Sequence, residues 1–166
     1  MNPPNTATAI RERIVIYAKF LADVLEIREH GGNNHGEVVE KLLRRAGGSP
    51  GQPWCAAFCD ALYEAACKAF GVQPDINIGL SCSQLAQRAK ELGRYHEDEN
   101  LARPGDLLLI KGGPTGYQHV GVVISFVNPQ GIIASIEGNT NSAGSADGDG
   151  IYRKKRTAAG LAFVQL

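Results

Sequence analysis

The sequence lacks the features that mark several special classes of protein. It contains no run of roughly 18 or more apolar residues, so we expect no membrane span. Lys plus Arg and Asp plus Glu both number 17, which gives no net charge and no electrostatic signature of a partner that is a nucleic acid or a membrane. The segment Met1–Asn5 shows no basic stretch followed by an apolar one, so we expect synthesis in the cytoplasm without a cleavable signal.

Cysteine is scarce and its spacing fits neither a metal site nor a disulfide framework. No Cys-x-x-Cys pair occurs, which argues against structural zinc, and the chain is neither short nor loop-rich. We therefore predict that Cys59, Cys67 and Cys82 are buried structural thiols, and we expect no cofactor. The one basic run, Arg153–Arg156, falls in a predicted strand and is interpreted as a solvated strand face.

The residues that are present predict one α+β domain over residues 1–166. Apolar positions at helical spacing predict helices near 7–30, 37–46, 54–70 and 83–92. Val/Ile/Leu-rich segments separated by Gly, Pro and Asn predict strands near 106–111, 119–126, 131–137, 151–156 and 161–165. Helices followed by strands favour N-terminal helices packed on one side of an antiparallel sheet.

Cys55 is the first residue that predicts chemistry. It lies at the predicted start of the third helix, where free backbone N–H groups and the positive end of the helix dipole favour a thiolate. The same N–H groups can donate to an oxyanion during acyl transfer. A nucleophilic thiol also needs a base, and His119, which opens the apolar strand after Gln118, is the histidine best held for that role.

A third group is expected to orient the imidazole of His119. Glu137 and Asn139 are two residues apart on the next strand, so they point to one face of it. In a hairpin, the numbers of two directly opposite residues have a constant sum. His119 points to the same face as Glu137 and Asn139 only if that sum is even. The geometry therefore predicts a loop with an odd number of residues, three or five, around Asn128–Gln130 unless a bulge intervenes.

Four segments, in this order, resemble the motifs of the CHAP family, the cysteine, histidine-dependent amidohydrolases/peptidases. Pro53–Cys59 resembles the nucleophile motif, and Arg103–Leu107 resembles the Pro-Gly-Asp turn that enters a strand. His119–Val123 is similar to the histidine strand, and Glu137–Asn141 is similar to the acidic and amide motif. The resemblance extends over residues from about 30 to 156, which is most of the chain.

This resemblance implies a papain-like fold and hydrolysis of amide bonds in peptidoglycan. It implies that Cys55 is the nucleophile, that His119 acts as base and then acid, and that Glu137 orients the imidazole. Asn139 would hold or polarise groups at the same site. The region 31–36 lacks the carboxylates of the family's calcium-binding members, so we expect no metal.

Three further residues are predicted near the nucleophile and the base. The oxyanion would be bound by the backbone N–H of Cys55 together with one more donor, for which Gln52 is a candidate. Trp54 and Tyr117 flank the two catalytic residues and are candidates to line a groove for sugar or stem peptide. Core packing is an equal alternative for Trp54.

The sequence leaves the biological role open between several alternatives. The enzyme is expected to be an N-acetylmuramoyl-L-alanine amidase or a peptide endopeptidase that acts at the bacterial cell wall or periplasm. It would serve as a phage-type lysin or as a secreted effector, with an immunity protein or delivery machinery as possible partners, and we expect a monomer. The alternatives are a papain-like hydrolase or acyl-transferase acting on a protein or isopeptide, and a non-catalytic wall-binding module.

Overall fold

A computed structural model of the protein describes residues 6–112, 116–143 and 148–166, and the first half of the chain is helical. The helices are α1 (Thr6–Asp23), α2 (Glu37–Arg45), α3 (Cys55–Ala69) and α4 (Cys82–Glu91). The last three match their predicted ranges to within one residue at each end. The segment 1–5, on which the expectation about a secretory signal rests, lies outside the described residues. In the described part of the chain, no helix has the length and apolar character of a membrane span.

The predicted first helix is wrong at its C-terminal end, because α1 ends at Asp23 rather than near residue 30. Glu26 has a φ of 46°, in the left-handed region, which is incompatible with a continuing right-handed helix. The chain then forms a β-bridge between Arg28 and Gly150, and the carbonyl of Ile27 accepts from the N–H of Ile151 at 3.1 Å. Helical spacing cannot reveal this pairing, because the partner segment lies more than a hundred residues away.

The second half forms an antiparallel sheet. Its strands are β1 (Tyr95–His96), β2 (Leu107–Lys111), β3 (Tyr117–Val123), β4 (Ile132–Thr140), β5 (Gly150–Thr157) and β6 (Ala162–Val164). Their order across the sheet is β1-β6-β2-β3-β4-β5, and a short 3-10 turn spans Glu99–Leu101. The two-residue β1 was not predicted, because it exists only through its pairing with β6.

Alternation along the strands separates two buried layers. The buried residues of all four helices pack in one cluster with alternate strand residues that include Leu107, Leu109, Val120, Val122 and Ile136. The intervening residues form a smaller cluster on the other face with Leu108, Val123, Ile133 and Phe163. The helices therefore cover one side of the sheet, and the predicted α+β architecture is confirmed.

The hairpin formed by β3 and β4 has the register that the sequence predicts. Val122 pairs with Ile136 and Val123 with Ser135, so the paired numbers sum to 258, which is even. At the turn, the N–H of Asn128 donates to the carbonyl of Ile132 at 2.9 Å, which encloses three residues, 129–131, and gives a paired sum of 260. The register therefore shifts by two residues between this turn and the Val122–Ile136 pair, but both sums are even, so His119 and Glu137 lie on the same face of the hairpin.

Candidate active site

Cys55 is the first residue of α3 and lies at an uncapped helix start. The preceding residue, Trp54, makes no side-chain capping hydrogen bond, and the N–H of Phe58 is bonded to the carbonyl of Trp54 at 2.9 Å. The first N–H groups of a helix have no partner within the helix. They are therefore available to a negative charge on or near the sulfur of Cys55.

Trp54 anchors this helix start to the sheet. Its side chain is fully buried, and its Nε1 donates to Oε1 of Glu29 at 2.8 Å. The ring lies against Gly138 of β4, where a Cβ would come within 2.7 Å of Cζ3 of Trp54. Full burial favours the packing alternative for Trp54 over a place in a substrate groove.

His119 and Glu137 form a buried pair across the hairpin. Nε2 of His119 lies 2.9 Å from Oε2 of Glu137, and both side chains are completely buried. Gly121 stands opposite Glu137 and leaves room for it, since a Cβ there would come within 2.4 Å of Cγ of Glu137. Nδ1 of His119, the other ring nitrogen, has no hydrogen-bond partner among the described residues.

The carboxylate of Glu137 is held by two more side chains that sequence reasoning missed. Ser135 donates its hydroxyl to Oε1 at 2.5 Å, while Arg156 of β5 donates Nε to Oε1 at 2.7 Å and Nη2 to Oε2 at 2.5 Å. The interpretation of the basic run as a solvated strand face is thus wrong for Arg156, whose side chain is only 19% exposed. Arg153 and Lys155 of that run are exposed as expected. The period-two alternation of β5 was the signal that could have separated them.

A second cysteine lies beside the first. Sγ of Cys82 is 3.8 Å from Sγ of Cys55, and Cys82 is itself the first residue of α4. That helix start is capped by Ser81, whose side chain accepts from the N–H of Gln84. The contact joins two helix N-termini, and the prediction that Cys82 is only a packing thiol missed it.

The electrostatics of the site favour a charged pair. A hydrogen bond with Cys82 holds the pKa of Cys55 well below its usual value, and His119 and the backbone N–H of Val120 lower it further, although burial opposes them. Burial alone would lower the pKa of His119, but Cys55 and Glu137 outweigh it and raise that pKa to about 9. Burial would likewise raise the pKa of Glu137, yet Arg156, His119 and Ser135 lower it to about 2. These directions are those of a thiolate, an imidazolium and an ionised carboxylate.

Asn139 lies two residues beyond Glu137, in an unusual backbone conformation. Its φ is 56°, in the left-handed region that asparagine tolerates better than most residues, and the register between β4 and β5 shifts between Glu137 and Thr140. Its side chain is buried, and neither Oδ1 nor Nδ2 has a hydrogen-bond partner in the described part of the chain. An unsatisfied buried polar group costs about 1–3 kcal/mol, so such a group calls for an explanation.

The two other predicted site residues are partly exposed or exposed. Gln52 is exposed, and its Oε1 accepts from the N–H of Ser49 at 2.7 Å, within its own turn. Tyr117 is the first residue of β3, and its hydroxyl lies 2.6 Å from the hydroxyl of Tyr95. Its backbone N–H donates to Oγ of Ser83, the residue that follows Cys82, at 3.2 Å. Tyr117 is therefore near the second thiol, while the role of Gln52 stays a prediction.

A surface cleft lies away from this cluster. It has a volume of about 400 Å³ and is lined by residues that include Arg11, Tyr63, Asp75 and Arg94, with none of the cluster residues among them. The thiol, imidazole and carboxylate of the cluster supply the groups that acyl transfer needs, whereas cleft volume alone supplies no reactive group. Across residues 6–112, 116–143 and 148–166, no group of three or more His, Cys, Asp or Glu side chains could hold a metal ion.

Comparison with known families decides the family of this chain. A family model of the CHAP domain matches residues 47–139. This protein belongs to the CHAP family. The match includes Cys55, His119, Glu137 and Asn139 and ends before Arg156, and the family is one of amidases and peptidases that hydrolyse peptidoglycan. No curated protein and no solved structure matches the chain.

Proposed function

We propose that this protein hydrolyses amide bonds of peptidoglycan, with Cys55 as nucleophile and His119 as base and then acid. One observation carries the proposal. The thiol of Cys55, at a helix start, lies near the imidazole of His119 and raises its pKa. Nε2 of that imidazole lies 2.9 Å from Oε2 of the buried Glu137. Nucleophile, base and orienting group in this order are what acyl transfer by cysteine requires. Membership of the CHAP family supports peptidoglycan as the substrate.

The reactive state is the ion pair of Cys55 and His119. The carboxylate of Glu137 accepts the proton on Nε2, so Nδ1 is the nitrogen that takes the thiol proton. The ionised Glu137 then stabilises the imidazolium that results. The lowered pKa of Cys55 and the raised pKa of His119 both favour a proton on the imidazole before substrate arrives.

Acylation and deacylation follow from these positions. The thiolate attacks the amide carbonyl carbon, and the negative charge passes to the carbonyl oxygen near the free N–H groups at the start of α3. The proton on Nδ1 of His119 goes to the leaving amine as the C–N bond breaks. His119, now neutral, removes a proton from water, the hydroxide attacks the thioester, and the thiolate of Cys55 leaves.

Asn139 is proposed to complete the site by contacting substrate. Both polar atoms of its amide are buried without a partner among the described residues, at the end of the strand that carries Glu137. An amide offers both a donor and an acceptor, so it can hold a peptide group or polarise the scissile carbonyl. Binding of substrate would then satisfy the atoms that the free protein leaves unpaired.

The proposal is tested with isolated cell walls. Purified Gram-negative peptidoglycan is incubated with the wild-type protein, with Cys55→Ala, and with Cys59→Ser as the matched control. Cys59 lies one helical turn further along α3, is buried, and has a pKa raised by burial, so it is a neutral packing thiol. We expect clearing by the wild type and by Cys59→Ser, and at least a 10³-fold loss in Cys55→Ala, about 4 kcal/mol of barrier.

Mass spectrometry of the products identifies the bond. A new N-terminal alanine on the released peptides identifies an amidase, whereas shortened stem peptides identify an endopeptidase. Equal inactivity of the wild type and Cys55→Ala on walls of several types would contradict the proposed substrate. Activity of the wild type on a protein or isopeptide amide would then identify the alternative substrate class for the same site.

The proposed place of action is the bacterial cell wall or periplasm, where the substrate is found. The protein would reach it either as a phage-type lysin or as an antibacterial effector with a delivery machine and an immunity protein. The neighbouring genes distinguish these roles. A holin gene beside this one supports the lysin, and a gene for a small protein that inhibits clearing supports the effector.

A further inference from the structure

The contact with Cys82 lowers the pKa of Cys55, but Cys82 transfers no proton and forms no bond in the hydrolytic steps described above. All four cysteines of the chain lie in its described part and none is in a disulfide. Among them, Cys55 and Cys82 form the pair with a direct sulfur contact, at 3.8 Å. Two thiols in contact, one of them a reactive nucleophile, are the starting arrangement for disulfide formation.

We propose that Cys55 and Cys82 form a reversible disulfide when the protein meets a peroxide. A disulfide has an S–S length of about 2.05 Å, so the sulfurs must approach by about 1.8 Å from their present 3.8 Å. Both side chains stand at the first residue of a helix, α3 and α4. The first residues of a helix are held by fewer backbone hydrogen bonds than its interior, so a shift of this size does not require either helix to unfold.

Position and thiolate character separate this pair from the other thiols. Cys82 is the thiol in contact with Cys55, at 3.8 Å. The pKa of Cys55 is lowered, whereas burial raises the pKa of Cys59 and that of Cys67. The pKa of Cys82 is raised by its hydrogen bond to Cys55 and by burial. Cys55 is thus the thiol that is oxidised first, and Cys82 is the one that resolves it.

The reaction balances with peroxide as the oxidant. The thiolate of Cys55 attacks one peroxide oxygen, the O–O bond breaks, and a sulfenic acid and hydroxide form. The hydroxide takes the proton that Cys55 had given to His119 and leaves as water. The sulfur of Cys82 then attacks the sulfur of the sulfenic acid, and the S–O bond breaks. The departing hydroxide takes the thiol proton of Cys82 and leaves as water. In sum, two thiols lose two electrons and two protons, and one peroxide becomes two waters.

The disulfide blocks Cys55 as a nucleophile and protects its sulfur from further oxidation. With its sulfur bonded to Cys82, Cys55 cannot attack an amide, and this consequence for turnover rests on the proposed function. The bond also prevents oxidation of Cys55 to the sulfinic acid, a state that thiols do not reverse. Reduction by a dithiol returns both residues to their present state, so the pair makes the site a reversible target of oxidation.

The test compares the wild type, Cys82→Ser and the matched control Cys67→Ser, each before and after a brief treatment with hydrogen peroxide. Intact mass and peptide mapping are read first, and wall-clearing activity is read second, relative to each untreated protein. In the wild type and Cys67→Ser we expect loss of two hydrogens, a peptide that links Cys55 to Cys82, and at least a tenfold loss of activity that dithiothreitol restores. In Cys82→Ser we expect gain of two oxygens on Cys55 and a loss that dithiothreitol does not restore.

The mass readout keeps this inference separate from the proposed function. If no variant clears walls, the Cys55–Cys82 link in the wild type still supports the disulfide. Direct conversion of wild-type Cys55 to a sulfinic acid, or a link from Cys55 to Cys59, overturns the proposal. So does recovery of Cys82→Ser by dithiothreitol to the same extent as the wild type.

Discussion

Replacement of Arg156 by Gln is the most informative single change outside the reactive pair. Arg156 donates two hydrogen bonds to the fully buried carboxylate of Glu137. Without Arg156, the remaining partners of that carboxylate among the described residues are His119 and Ser135. Breaking a buried ion pair by removing one partner costs about 3–5 kcal/mol. Two partners remain and 19% of the Arg156 side chain is exposed, so we expect about 2–3 kcal/mol of lost stability. In a chain of this size the melting temperature then falls by roughly 5–10 °C.

Arg153→Gln is the matched control on the same strand. Arg153 also pairs with a carboxylate, that of Asp23, but the two side chains are 49% and 39% exposed. Exposed pairs contribute about 0–1 kcal/mol, so the control should unfold close to the wild type. Urea unfolding of both variants measures the difference.

A double-mutant cycle with Glu137→Gln isolates the interaction. We expect a coupling of at least about 1.5 kcal/mol between Arg156 and Glu137, because the residues are in direct contact. Activity gives a second readout. Without the guanidinium, the charge of Glu137 acts on His119 unopposed, so the pKa of His119 rises and the alkaline limb of the rate moves to higher pH. Equal stability of the Arg156 and Arg153 variants, together with additivity in the cycle, would refute this reasoning.

Three further predictions follow from the site. The rate of wall hydrolysis should depend on pH with a bell-shaped profile. The rate should fall near pH 9, where His119 loses its proton, and at acidic pH, where Cys55 gains one, and both limits belong to the coupled pair. A constant rate from about pH 5 to about pH 9 contradicts the mechanism. Gly121→Ala should displace Glu137, since the new Cβ would come within 2.4 Å of Cγ of Glu137. We expect about 1–3 kcal/mol of lost stability and a kcat reduced more than tenfold. Gly131→Ala is the control for backbone strain alone, because φ there is 69° and no atom lies within 4 Å of the new Cβ. Acid unfolding, followed by circular dichroism, should detect the ionised Glu137. Its depressed pKa contributes about 3 kcal/mol to the free energy of unfolding above pH 4.5, and this contribution is lost as pH falls toward about 2. Glu137→Gln should lack that pH dependence.

Local patterns were sufficient for the order of elements and for the positions of several candidate site residues. Helical spacing followed by Val/Ile/Leu-rich segments predicted the helices and five of the six strands, because each pattern reflects which face of one element is buried. Strand alternation and an odd loop were enough to place His119 and Glu137 on one face, because the side-chain period of a strand is two. The start of α3 at Cys55 follows in the same way from Pro53 and the apolar spacing after it.

Contacts between distant elements were beyond the reach of such patterns. Arg156 looked like part of a charged surface until the pairing of β4 with β5 brought it to Glu137. The approach of Cys82 to Cys55 depends on where two helices begin relative to each other, and 27 residues separate them in sequence. The end of α1 was likewise set by a bridge to a strand near the other end of the chain.

One physical reason separates the features that the sequence predicted from those that it did not. Periodicity and turn chemistry act within a few residues, so the sequence alone determined three of the four helices, five of the six strands, the hairpin parity and the position of Cys55 at a helix start. The partners of a buried charge and the neighbour of a reactive thiol depend on packing between elements, which no local period encodes. The tertiary structure therefore decided that Arg156 supports the carboxylate of Glu137 and that a second sulfur lies beside Cys55.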